Sequence, residues 1–499
     1  MKSFHTFNHP FSCLRKLKQQ PAWVILLVFG LIQLIGITDP PLEMAHSWRQ
    51  SFTAMITRNY AEMGMDWLHP RIDMAGEKPG IVGSEFPLFN FLSLIFCKLF
   101  GYQHWYGRAV NVAFVIWGAQ SYYLIVKNRF SGQTALYAMV VLLCSSWFTF
   151  SRKIMPDTFS VSLVLIGIRY AFDYYQSGSL RYYFLSIMLV AFGVLSKIPA
   201  MSLLAMVGVL PFMTSVDPRK KRFILLGVLL GVAPGLWWYF FWVPHLNTTY
   251  GYHLYFPKGL LEGLMEILPL WRLLLEKFYF TSYYSFLALL LAFVGLISLK
   301  SKSLRTESWA LTLITLVFCV FVLKTGAVFP QHTYYSIPFI PVMALLSGLG
   351  LDFLSERFKT VNQPNGIKSF LGYGLLFLLV VEALSNQIHD HFIKPSEKYK
   401  LSLETEIAAV IPMEARVVMV SSASPQELYL LHRKGWTIFP EQLLPANTIE
   451  KYGKLGADYL VINKPIFSAF PEKSILLHAL DETKLFYVSN HYAVYRITH

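Results

Sequence analysis

The stretch EFPLFNFLSLIFCKLF, Glu85–Phe100, decides the fold. The segment 84–100 is apolar and long enough to be read as a membrane span, yet Glu85, Pro87, Asn90 and Lys98 interrupt it. Other apolar runs lie near 22–38, 106–126, 133–150, 158–176, 181–196, 199–213, 222–242, 279–299, 307–323, 333–352 and 368–387. Whether 84–100 crosses fixes the side on which every later loop lies.

Charge arbitrates. With 84–100 on the membrane surface, the cytoplasmic pieces are 1–21, 127–132, 177–181, 214–222, 300–306 and 353–368. They hold 17 Lys and Arg in 64 residues, more than twice the density of the outer pieces. That is the asymmetry expected of cytoplasmic loops. If 84–100 crossed, RKKR at 219–222 would face outward. The segment is therefore expected to be an amphipathic or re-entrant juxtamembrane helix.

Composition agrees with many spans. The chain is 55% hydrophobic and only 14% charged, where a soluble chain carries about 25% charge. Its net charge of +14 belongs to loops. No basic stripe with recognition elements accompanies it, which argues against nucleic acid as a partner. Cys13, Cys97, Cys144 and Cys319 have neither disulfide nor zinc spacing. Arg15, Lys16 and Lys18 precede the first apolar run with no small-residue cleavage site, so that run reads as a retained span. The expected fold is a polytopic α-helical membrane protein of about 11 spans with juxtamembrane helices and a C-terminal α/β soluble domain. The expected boundaries are 1–389 for the membrane part, with its first outer loop at 39–105, and 390–499 for the rest.

Within 390–499, VVMVSS and DYLVI read as buried strands. PQELYLLHRKG and TIEKYGKLGA read as helices, and FYVSNHYAVYRI as a hairpin. Lacking a glycine-rich phosphate loop or a nucleophile elbow, this region is read as accessory or acceptor-positioning. No internal repeat is visible, against a transporter built from repeats.

Ionisable residues gather on the outer side: Asp39, Glu43, His46, Arg49, Asp73 and Glu85 in the first loop, then Arg152, Lys153 and Asp157 in RKIMPD. Lys197 follows in LSKIPA, and Lys324, His332, Tyr334 and Tyr335 in KTGAVFPQHTYY. Each has a plainer alternative. Lys197 can snorkel, Asp157 can cap the helix that follows Pro156, and the tyrosines can be belt aromatics. Asp39 can simply end a span, Arg152 anchor a helix end, and His46 serve as a structural hydrogen-bonder. Together they suit one chemistry. Outer-face cations suit a lipid phosphate, and carboxylates suit a base that takes the proton of an attacking hydroxyl or amine. That describes sugar transfer from a lipid-phosphate donor.

At these residues the sequence resembles the membrane-embedded GT-C glycosyltransferases, in the branch of the protein O-mannosyltransferases and the lipid A aminoarabinose transferase. HSWRQSFTAMITRNYAEMG is similar to the first juxtamembrane helix. HPRID, GEKPG and EFPLFNFLSLIFCKLFG fit the connecting loop and the second helix. GRAVNVAF begins the next span, SRKIMPD fits the arginine-plus-acid turn, LSKIPA the lysine turn, and HTYYSIPFIPVMALL the later His-Tyr-Tyr segment. The resemblance implies an inverting transfer from a polyprenyl-phosphate sugar donor to a lipid, glycan or protein acceptor, without direct use of nucleotide sugars. It implies an Asp-Glu pair shortly after the first span, where this chain reads AHSWRQ. The nearby candidates for the base are Asp39, Glu43, Asp73 and Glu85, with Asp73 and Glu85 favoured, Asp157 orienting or assisting, and His46 and Arg49 near acceptor, base or phosphate. Lys197, Arg152 and His332 are expected at the donor phosphate, with Tyr334 and Tyr335 along the donor groove. No cofactor is required by this reading. Asp73, Glu85, Asp157 and His46 leave a divalent cation open, although no metal spacing is present. The competing classes are a transporter or flippase and a ligase acting on lipid pyrophosphate. The expected location is the bacterial cytoplasmic (inner) membrane, with the site facing the periplasm or exterior.

Overall fold

The computed structural model describes residues 21–43, 45–209, 217–252, 257–301, 305–359, 365–445, 447–471 and 484–497. The expected first cytoplasmic piece and parts of those at 214–222, 300–306 and 353–368 lie outside the described residues.

Each apolar run falls on helical structure. In chain order the principal helices are α1 (Pro21–Gln33), α2 (Ser47–Met63), α3 (Leu88–Phe100), α4 (Tyr106–Arg129), α5 (Gly132–Cys144), α6 (Pro156–Ser177) and α7 (Leu180–Ser196). There follow α8 (Pro218–Trp237), α9 (Phe286–Ser301), α10 (Arg305–Thr325), α11 (Ile340–Lys359) and α12 (Asn365–Gln387). Five described helical stretches have the length and composition to cross a membrane: Tyr106–Arg129, Pro218–Tyr250, Thr306–Thr325, Thr333–Arg357 and Leu371–Val410. A sixth is counted if Leu260–Thr281 and Phe286–Lys300, bent by 93°, form one span. Of the other expected spans, 158–176 lies whole within the 22-residue α6, 181–196 within the 17-residue α7, and the rest are shorter. The run 133–150 breaks at Ser145–Ser146, and 199–213 opens as a tight 3-10 turn, Ile198–Leu204, containing Pro199. The helical part is that of a multi-pass membrane protein.

The deciding stretch is α3. Its 13 residues reach about 20 Å at 1.5 Å per residue, short of a hydrocarbon core of about 30 Å. Pro87 sets its start and Gly101, at φ +82°, its end. One face, with Leu88, Phe89, Asn90, Ser93, Leu94 and Cys97, is buried; Ile95, Phe96, Leu99 and Phe100 are exposed. Asn90 Nδ2 donates to the Thr53 carbonyl (2.7 Å) and Thr57 Oγ1 (3.0 Å), and Lys98 Nζ to the Ala61 carbonyl (3.0 Å), tying α3 along α2. The one-sided burial against α2 fits the expected juxtamembrane helix.

The C-terminal region forms a five-stranded sheet. Its strands are β1 (Arg416–Val420), β2 (Lys434–Ile438), β3 (Tyr459–Asn463), β4 (Lys484–Val488) and β5 (Tyr492–Arg496), in the order β2-β1-β3-β5-β4. β1 pairs in parallel with β2 and β3, while β5 runs antiparallel to β3 and β4. β2 was not foreseen. His432, at φ +53°, stops the helix Gln426–Leu431 after its last apolar residue, and KG of PQELYLLHRKG opens a strand.

One buried apolar cluster joins Phe52, Met55 and Val82 of the first outer loop to Leu403, Val417, Leu428 and Val461 of the C-terminal region. The loop and the sheet therefore lie on the same side of the helical bundle.

Candidate functional site

Two non-glycine residues with positive φ, Ala45 (+59°) and His46 (+61°), stand immediately before α2. Left-handed backbone costs such residues about 1 kcal/mol or more each. It turns the chain so that Trp48 and Arg49 enter a cavity of about 310 Å³. The same cavity is lined by Glu85 from the loop before α3, Lys197 after α7, Tyr239, Lys324 at the end of α10, and His332, Tyr334 and Tyr335.

Glu85 is its electrostatic centre. Arg49 Nη2 donates to Oε2, and Lys197 Nζ to Oε1 at 2.6 Å. Burial raises the Glu85 carboxyl, but the pull of Arg49 and then Lys197 outweighs it and holds the group at about 2. Glu85, with Tyr334 and Asp157, keeps Arg49 charged despite its burial. Lys197 Nζ also lies 3.4 Å from Asp157 Oδ1, and 5.5 and 5.8 Å from the ring centres of Tyr334 and Tyr335. Met155 is the N-cap of α6 and Pro156 opens it. Asp157 is thus free to face Lys197 from the first turn, where a carboxylate is favoured by the helix dipole. His46 stacks on His332 (5.5 Å between ring centres), meets Tyr334 edge-on (4.7 Å), and places Nε2 3.3 Å from Thr333 Oγ1.

The structure thus brings together Arg49, Glu85, Asp157, Lys197, His332, Tyr334 and Tyr335, with His46 directly behind. It sends three expected site residues elsewhere. Arg152 is fully buried against Glu43 Oε1 (2.6 Å), beside Lys153 and Arg108, and also donates to the carbonyls of Ile35 and Gly36. Asp39 belongs to this buried group, its carbonyl accepting from Arg108. Asp73 does not join Glu85. It accepts from Arg58 Nη2 (2.7 Å) and Asn59 Nδ2 (3.0 Å), while Arg58 also donates to the Tyr429 carbonyl (2.7 Å) and lies over the Tyr429 ring. Hence Asp73, Glu85, Asp157 and His46 do not form one ligand set. Among the described residues no group of three or more His, Cys, Asp and Glu is gathered to hold a metal.

Asp73 marks a seam. Its carbonyl accepts from Gly435 N (3.0 Å), and Gly76 N donates to the Gly435 carbonyl (2.8 Å), so 73–76 covers the edge of β2. A Cβ at Gly76, where φ is +56°, would stand 2.2 Å from Trp436 Nε1. Such pairing protects an otherwise open sheet edge. Asp73→Asn removes the charge of a buried pair and is expected to cost about 2 kcal/mol. Thermal unfolding followed by tryptophan fluorescence checks this; an unshifted midpoint would make the seam energetically idle.

Lys324 and Tyr239 are site residues the sequence reading did not single out for a role. Lys324 carried a signal, a cation closing an apolar run; Tyr239, inside a run of aromatics, carried none.

Comparisons with known proteins follow the same lines. Residues 78–238 match the family described as dolichyl-phosphate-mannose-protein mannosyltransferase. The fold is similar to that of ArnT from Cupriavidus metallidurans in the apo state, with a TM-score of 0.62 and 13% identity, covering 95% of this chain and 97% of that one. ArnT bound to undecaprenyl phosphate gives 0.59 and 13%, over 95% and 98%. The archaeal oligosaccharyltransferase AglB from Archaeoglobus fulgidus, in complex with an inhibitory peptide and a dolichol-phosphate, gives 0.55 and 12%, over 97% and 75%. No curated protein matches the chain. The partial family match and the likeness of fold both point the same way as the GT-C resemblance read from the sequence.

Proposed function

We propose that the chain transfers a sugar, with inversion, from a polyprenyl-phosphate donor to a lipid, glycan or protein acceptor at the outer face of a bacterial cytoplasmic membrane. The observation that carries this reading is the cavity where Arg49, Lys197 and Lys324 surround Glu85 at the foot of apolar helices. A lipid phosphate needs cations at the membrane boundary and an apolar wall for its tail. Phe321, Val328, Ile198 and Pro199 supply apolar wall beside those cations. ArnT, whose fold this chain has, binds undecaprenyl phosphate.

In this reading Lys197, Lys324 and Arg49 offset the charge that develops on the leaving phosphate. Tyr334, Tyr335 and Tyr239 line the donor groove. Glu85 holds Arg49 and Lys197 in place before the donor arrives, which is electrostatic preorganisation. In this reading the reaction needs no resident cofactor, so a chelator is expected to leave the rate unchanged; a loss of rate would point to the divalent cation. The acceptor approaches from the side of the outer loop and the C-terminal sheet, the latter belonging to an accessory domain at 390–499. The density of Lys and Arg in the expected cytoplasmic pieces supports an orientation of this face toward the periplasm or exterior.

Mass spectrometry of surface glycans, envelope lipids and glycoproteins in a deletion strain is expected to find one class lighter by a single sugar. With that acceptor, the purified chain should use an undecaprenyl-monophosphate sugar and release undecaprenyl phosphate. Preference for the pyrophosphate-linked donor would make it a glycan ligase. No missing sugar in any class would leave the transferase reading without support and favour a transporter.

A further inference from the structure

We propose that the general base of this site is a histidine, His332, held in place by His46, and that none of the carboxylates performs this step. The proposal rests on glycosyl transfer being the reaction of the cavity.

The carboxylates are occupied or misplaced. Both oxygens of Glu85 are taken, one by Arg49 and one by Lys197. With its carboxyl near 2, Glu85 has little basicity left. Asp157 faces Lys197 and does not line the cavity. Asp73 holds the C-terminal seam, and Asp39 sits with the Arg108–Arg152 group.

His332 meets the requirements of a base. It lines the cavity. Its Nδ1 lies 3.1 Å from the Val328 carbonyl oxygen. A carbonyl only accepts, so Nδ1 carries the proton and the neutral ring keeps an unprotonated Nε2. Burial lowers the His332 pKa, the Val328 bond raises it, and Lys197, Lys277 and Arg49 lower it further, with a net decrease. The groups around it are Arg49 from α2, Lys197 after α7, Lys277 before α9, Lys324 at the end of α10, His46, and the phenols of Tyr334 and Tyr335. These cations favour the neutral ring at pH 7.

His46 is the positioning residue. Its ring stacks on His332 at an interplanar angle of 24°, and its Nε2 reaches the hydroxyl of Thr333, the next residue in the chain. It is held there by left-handed backbone at both Ala45 and His46, a local cost that persists only where the surroundings enforce it. His46 also stands within AHSWRQ, where an acidic pair was expected.

In the step itself, the acceptor hydroxyl oxygen forms a bond to the anomeric carbon while the bond from that carbon to the phosphate oxygen breaks. The hydroxyl proton passes to His332 Nε2. The electron pair leaves with polyprenyl phosphate, whose new charge Lys197, Lys324 and Arg49 meet.

The test uses the full chain in nanodiscs, with undecaprenyl phosphate as binding probe and the undecaprenyl-phosphate sugar that the wild type accepts as donor. H332A is expected to lower kcat by about 10²–10³-fold, to bind undecaprenyl phosphate as the wild type does, and to regain part of its rate with added imidazole. In the wild type, kcat should fall as pH drops through the His332 pKa, below the ordinary 6.5, and this limb should be absent in H332A. H46N should lower kcat and shift the limb without imidazole rescue. A rate for H332A within threefold of wild type overturns the proposal. So does an equal loss of undecaprenyl phosphate binding, which would make His332 a phosphate contact. A wild type that transfers no sugar removes the underlying reading and the proposal together, and is told apart because the wild type itself is inactive.

Discussion

Glu43→Ala is expected to leave little folded protein. The Glu43 side chain is 0% exposed, as are Arg108, Arg152 and Lys153 around it. Its Oε1 accepts from Arg152 at 2.6 Å; its Oε2 accepts from Lys153 at 2.9 Å and lies 3.3 Å from Arg108 Nη2. The two guanidinium groups also satisfy the carbonyls of Ile35, Gly36, Ile37, Asp39 and Pro40, where the chain leaves α1. Glu43 is therefore the counterion that lets these cations be buried at the entry to the outer loop. Truncating one partner of a buried pair costs about 3–5 kcal/mol. With three cations stranded, the upper end is expected. Thermal unfolding and monodisperse yield in detergent measure this, and a midpoint within about 5 °C of wild type contradicts it. Burial raises the Glu43 carboxyl, but the attraction of Lys153, Arg108 and Arg152 lowers it to about 2. A depressed carboxylate contributes stability that is present above the ordinary 4.5 and lost as pH falls through the folded value. This group should therefore hold across neutral and mildly acidic pH and fail only near pH 2.

Lys197→Ala is expected to reduce sugar transfer by about 10³-fold, the loss of one preorganised charge at a reacting centre. The ammonium neutralises Glu85 and Asp157 at once. Removing it leaves carboxylates facing the arriving phosphate. The alternative, a lysine snorkelling to the membrane surface, predicts an ammonium in water. Instead the side chain is only 13% exposed and its Nζ is bonded to Glu85 at 2.6 Å. Lys197→Arg should recover part of the activity, because the charge is kept while the planar fork cannot reproduce one compact point charge. Initial rates and undecaprenyl phosphate affinity are measured together. Unchanged values of both would return Lys197 to a structural role.

The polytopic helical character was legible because it rests on local properties. Apolar run length, loop charge and the interruptions in EFPLFNFLSLIFCKLF are read residue by residue. The strands VVMVSS and DYLVI follow the same logic, being short apolar runs that became β1 and β3. The seam and β2 were less accessible. Helix and strand lie two residues apart there, and a histidine in left-handed conformation stops the helix where a glycine would be the readable signal.

For the candidate cavity, the residue types were legible in the sequence. Arg49, Glu85, Lys197, His332 and the tyrosine pair were all recognisable as costly polar groups beside a membrane. What only the tertiary structure decided was partnership. Asp73 and Glu85 are 12 positions apart in one loop, and both were reasonable neighbours of the same site. Arg58 pulls one toward the sheet, while Arg49 and Lys197 hold the other in the cavity. Arg152 similarly lies with Glu43, 109 residues away, and not with Lys197. The reason is physical. A buried charge is stable only beside its counterion, and which counterion it meets depends on how distant helices pack, a quantity that neither spacing nor composition contains.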